Sequence, residues 1–148
     1  MAPLIALIAG SLLARIAGFA GVDALDGWQP ALRVGLALMF LLTGYAHFAP
    51  KMRSDLIAMV PPALPRPDLL VTATGVLEIA GAIGLLIPAT APWAAAGLAL
   101  LMLAMFPANV SAARRKVPFG DRPATPLGPR TAEQALFVGA AVAILFGT

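Results

Sequence analysis

Six polar side chains interrupt otherwise apolar stretches: Arg15, Arg33, His47, Glu78, Asn109 and Gln134. Their types include a carboxyl able to carry a proton, an imidazole, two guanidiniums and two amides. In hydrocarbon each is costly and calls for a partner. Glu78 lies about ten residues from either end of its apolar stretch, which at about 1.5 Å per residue is near the middle of a bilayer. Arg15 sits roughly 5 Å from that depth on the same scale, so a buried Arg15–Glu78 ion pair is one expectation. Arg33 is near the end of its stretch, placed to reach the headgroups or to meet Asp23 or Asp26. His47, Asn109 and Gln134 fall near the opposite end, with Thr43, Tyr45, Thr72 and Thr74 at nearby depths. By depth these groups would pool into a polar pocket for a lipophilic ligand, with Glu78 at its floor.

Each candidate also has a plainer reading. Glu78 with an arginine would equally fix helix register. His47 stands without the His or Glu partners at helical spacing that a metal site requires, so no metal is expected. As the only histidine, it also excludes a pair of axial haem histidines within one chain. Asn109 would satisfy carbonyls freed by Pro107. Gln134, with Glu133 and Thr131, reads as a helix-start cap. There is no Ser/His/Asp set, P-loop, HExxH or strand-linked GxGxxG, so a stand-alone enzyme is the least favoured class.

Five apolar segments must position these residues: Pro3–Val22, Pro30–Ala49, Asp68–Ile87, Pro92–Ala113 and Thr131–Phe146. Each is close to the roughly 20 residues that a membrane helix needs. Prolines crowd the breaks, where a missing N–H costs least. Pro107 lies inside the fourth segment and is expected to kink it or end it early. The segment MRSDLIAMVPPALP is too polar to span. It reads either as a short interfacial helix with Leu56, Ile57, Met59 and Val60 in lipid, or as an ordered loop. On the third segment Gly75, Glu78, Gly81 and Gly84 recur every three residues, a stripe that points Glu78 at a neighbouring helix. The expected architecture is an all-α, polytopic transmembrane helical bundle forming one membrane domain over residues 1–148.

Composition agrees. Of the 148 residues, 60% are hydrophobic and 11% charged, against about 25% charged in soluble domains. Mean hydropathy is +0.90. The absence of cysteine excludes disulfides, thiol redox chemistry, iron–sulfur ligation and zinc–thiolate sites. Lys51, Arg53 and Arg66 lie in one break, and Arg114, Arg115, Lys116, Arg122 and Arg130 in another, leaving only Arg15 and Arg33 elsewhere. These loops read as topology signals, with no nucleic-acid partner. With five spans they share a side with the N-terminus. The expected orientation is N-terminus in the cytoplasm and C-terminus outside, with Trp28 and Trp93 at the outer interface. The first segment lacks a basic leader and is interrupted by Arg15, so it reads as a retained helix.

From Arg33 to Gln134 the chain resembles the DoxX family of small bacterial membrane proteins. The matching residues are Arg33-Val-Gly35, Phe40, Gly44 and His47-Phe48, then Gly75, Glu78, Gly81 and Gly84-Leu-Leu, then Phe106-Pro-Ala-Asn109-Val, Arg130 and Gln134. The resemblance implies a four-helix core, here preceded by one added helix, in the bacterial cytoplasmic (inner) membrane. It also implies a membrane subunit or accessory protein of a quinone-linked redox or oxidative-stress complex, with a membrane or peripheral redox protein as partner and homo-oligomer formation left open. The chain itself would carry no cofactor, and quinone is the expected ligand. The alternatives are a small proton-coupled carrier with Glu78 titrating, and a purely structural scaffold.

Overall fold

The computed structural model describes residues 1–147. It contains six α-helices: α1 (Ala2–Phe19), α2 (Trp28–Ala46), α3 (Pro50–Met59), α4 (Pro67–Leu86), α5 (Ala91–Arg114) and α6 (Leu127–Phe146), with a 3-10 turn at Asp23–Leu25. Prolines occupy the first turn of α1, α3, α4 and α5, where the ring is pre-set for helix and no N–H bond is lost. The five expected segments overlap the five long helices, with limits that differ by up to four residues, most at the start of α6. α1, α4 and α5 are each long and apolar enough to cross a membrane, and α2 with α3, bent by 91° at their junction, makes a fourth crossing if counted as one. α6 has 20 residues, with Arg130, Glu133 and Gln134 in its first half. The fold is an all-α helical bundle of a multi-pass membrane protein.

Helices α2, α4, α5 and α6 pack in a ring, each against the next, and α6 closes back on α2. Leu36, Met39, Phe40, Leu85, Leu98 and Ile144 fill the interior. α1 lies outside the ring, chiefly against α2. It buries Leu7, Gly10, Ala14 and Gly18, a nearly all-small stripe that lets two backbones approach. A Cβ at Gly10 would stand 3.0 Å from Gly35 Cα, and one at Gly35 would collide with Ser11. This is the four-helix core with an added N-terminal helix.

The small-residue stripe of α4 serves two neighbours. Gly75 meets His47 of α2, whereas Gly81 meets Leu98 and Gly84 meets Ala94 of α5. Residues three apart drift by about 60° per step at 3.6 residues per turn, so Gly75 and Gly84 end on opposite sides of the helix.

Pro107 does not end α5, which continues to Arg114. The terminus is made by Lys116 at φ 55, with Val117 N–H donating to Ala112 O and Lys116 N–H to Ala113 O. That is a Schellman closure, with lysine at the position usually held by glycine. Between α2 and α4 the polar segment forms the short helix of the first expectation rather than an ordered loop. Pro50 starts α3, and Val60 before Pro61 ends it.

Candidate functional site

Glu78 and His47 are buried, with 4% and 3% of their surfaces exposed. Helix α4 turns Glu78 into its seam with α2 because Gly44 and Gly75 bring the two backbones together there. The Thr43 hydroxyl donates to Glu78 Oε2 at 2.7 Å. His47 Nδ1 lies 2.8 Å from the Thr43 carbonyl. A carbonyl only accepts, so Nδ1 carries the proton. The same nitrogen stands 3.8 Å from Glu78 Oε2, beyond hydrogen-bond reach. One turn further, Arg53 of α3 donates to the carbonyls of His47 and Asp68 and to Thr72 Oγ1. It thereby closes the last turn of α2 onto the first turn of α4.

The expected Arg15–Glu78 ion pair is not made. Arg15 donates to Asp26 at 2.8 Å and lies over the Phe19 ring. The reason is placement: α1 packs on the outer side of α2, with α2 between Arg15 and α4. Arg33 likewise leaves Asp23 and Asp26 alone and donates from Nε to the Leu85 carbonyl at 2.9 Å, where α4 ends and backbone acceptors are free.

A second polar cluster joins α5 to α6. Asn109 Nδ2 donates to Gln134 Oε1, Arg130 donates to Asn109 Oδ1, and Gln134 Nε2 donates to the Met102 carbonyl. The carbonyl freed by Pro107 is that of Leu103, and neither Asn109 nor Gln134 binds it. Asn109 is held by Gln134 and Arg130, and Gln134 donates to Met102, one residue earlier. Gln134 is not a helix-start cap, because α6 begins earlier, at Leu127. Tyr45 is 63% exposed and joins neither group. Among the described residues no side-chain hydrogen bond links the two clusters. The single pooled pocket with Glu78 at its floor is therefore replaced by two separate hydrogen-bonded clusters, one between α2 and α4 and one between α5 and α6. Depth in the sequence had aligned them, but facing in the bundle divides them.

Two recesses lie elsewhere. One of about 250 Å³, at the end bearing Trp28 and Trp93, is lined by Leu25, Pro30, Arg33, Val34 and Leu86. The other, of about 450 Å³, lies at the opposite end beside Pro107 and is rimmed by Arg114 and Arg115. Of the six pocket candidates, only Arg33 lines either one. Its two terminal nitrogens have no partner among the described residues. Among those residues no three His, Asp or Glu side chains group as a metal site would need.

Arg53 and Arg115 were legible only as topology charges. Arg115 in fact donates to the carbonyls of Ala58, Met59 and Val60 at the end of α3, and Asp55 accepts from Gly120 N–H. The one available signal was the short, proline-terminated helix itself, whose last carbonyls require donors.

Fold and site together define a multi-pass, all-α membrane bundle with two polar clusters between its helices. The chain belongs to the family described as Domain of unknown function (DUF8561), whose model matches residues 36–145. The match runs from the middle of α2 to the end of α6 and leaves α1 outside. No curated protein and no solved structure matches the chain.

Proposed function

We propose that the chain is a DoxX-like membrane subunit or accessory protein of a quinone-linked redox or oxidative-stress complex, and that it holds a lipophilic head group at Arg33. The observation that carries this reading is the Arg33 recess, apolar walls around one guanidinium with free terminal N–H groups. Those donors suit the carbonyl oxygens of a quinone, and Pro30, Val34 and Leu86 suit its ring. When bound, a quinone would supply the electron chemistry that these side chains lack. Arg33 would orient it, and the apolar walls would exclude water.

Extraction of the purified protein followed by mass spectrometry of retained lipids tests this. Wild type is expected to retain quinone, Arg33→Gln to lose most of it, and Glu78→Gln to retain it. Equal retention by wild type and Arg33→Gln sinks the reading.

The proposed setting is the bacterial cytoplasmic membrane, N-terminus inside. Support comes from the contacts that bring Met1 to within 3.7 Å of Glu133 and tie both basic loops together through α3. In this cysteine-free chain, Arg122→Cys should resist an impermeant maleimide in intact cells and Ala89→Cys should react. The opposite pattern reverses the orientation.

One observation favours a second reading, a proton-coupled carrier. The Thr43 hydroxyl lies 2.7 Å from Glu78 Oε2 and 3.4 Å from the Phe40 carbonyl. It can donate to a carboxylate, or accept from a carboxyl while turning its own proton to Phe40. Proton flux in liposomes that Glu78→Gln abolishes would establish this reading, and no flux across pH and candidate solutes would remove it.

A further inference from the structure

α5 carries a face that no other helix covers. Leu100, Leu103 and Pro107 follow one another at helical spacing, and Ser111 and Arg114 continue the same side. Leu100 and Leu103 are 67% and 56% exposed. At the basic end this track runs into the depression of about 450 Å³, where Phe106, Pro107 and Val110 meet Pro61 below Arg114 and Arg115.

The charges there are unevenly used. Arg115 donates from Nε to Ser111 and from one terminal nitrogen to the end of α3, while Arg114 has no hydrogen-bond partner among the described residues. Asp55, the acid on the adjoining helix, is engaged by Gly120 N–H. The C-terminus of α5 contributes only about half a negative charge, which two guanidiniums outweigh. Length also fits. Arg114 and Leu100 lie about 21 Å apart along the axis at 1.5 Å per residue, and one leaflet with its head-group region spans about half of 40–45 Å.

We propose that this groove binds an anionic glycerophospholipid, its phosphate on Arg114 and Arg115 and one acyl chain along Pro107, Leu103 and Leu100. A juxtamembrane recess with unpaired basic groups recognises such head groups by charge. A wholly apolar partner helix would leave the guanidiniums unanswered. The site is separate from the Arg33 recess at the other end of the bundle.

Native mass spectrometry of the full chain, released from bilayers of phosphatidylglycerol and phosphatidylcholine with identical acyl chains, reads it directly. Wild type is expected to retain phosphatidylglycerol in excess. Arg114→Gln should cut that excess about fivefold, the worth of one basic residue near a membrane surface. Arg114→Lys should keep most of it, and Arg66→Gln, a basic residue outside the groove, should leave it unchanged. The proposal is overturned by equal retention of the two lipids in wild type, by an unaltered excess in Arg114→Gln, or by an equal loss in Arg66→Gln. It also falls if millimolar inorganic phosphate removes the bound lipid, or if a copurifying protein chain holds this face free of lipid.

Discussion

The Thr43 hydroxyl donates to Glu78 Oε2 at 2.7 Å across the seam between α2 and α4, joining residues 35 apart in the chain. A threonine in a helix ordinarily turns its hydroxyl back to a carbonyl three or four residues earlier. Here the Phe40 carbonyl is the more distant acceptor, at 3.4 Å. The seam therefore organises Thr43 around the carboxyl, and His47 in turn anchors to the Thr43 backbone.

Removing the hydroxyl leaves the Glu78 carboxyl without its hydrogen-bond donor. Thr43→Val is expected to cost about 1–3 kcal/mol, the range for a buried polar group that loses its partner. In a Glu78→Leu background the same change should cost much less. Detergent-unfolding measurements on the four proteins of this cycle check the coupling, and additive effects would refute it.

Glycines on the same bundle should respond oppositely to alanine. A Cβ at Gly75 would stand 2.5 Å from His47 Cβ, whereas one at Gly139 meets nothing within 4 Å. Gly75→Ala must push α2 and α4 apart and is expected to lower the Tm by many degrees. Gly139→Ala should be neutral or stabilising by up to about 1 kcal/mol, the helix-propensity difference. Thermal unfolding in one detergent compares them.

Arg115 binds three successive carbonyls at the end of α3. Arg115→Gln should leave the four-helix ring intact while loosening α3. Amide hydrogen exchange is expected to rise several-fold across residues 53–60 and to stay unchanged across α4 and α5. A uniform rise, or none, would count against this local latch.

Lys116 holds a left-handed conformation at φ 55, which costs a residue with a side chain about 1–2 kcal/mol. Lys116→Gly removes that cost, offset in part by the extra freedom of glycine in the unfolded chain. A net gain of about 0.5–1 kcal/mol is expected, read as a higher detergent-unfolding midpoint.

The amino-acid sequence by itself determined the helical class, the number and approximate limits of the long helices, and the gathering of basic residues in two breaks. These depend on the length of apolar runs, on prolines and on charge position, all of which are properties along one dimension. It also marked Glu78 as internal, because glycines surround it at helical spacing. Only the tertiary structure decided who meets whom. Arg15 and Glu78 sit at similar depth yet never meet, because α1 packs outside α2. His47 and Asn109 also share a depth, but α2 turns one toward α4 and α5 turns the other toward α6. Depth follows from residue count at a fixed rise. The azimuth and the choice of neighbour follow from where small side chains let two backbones close, and that is settled only when all the helices pack together.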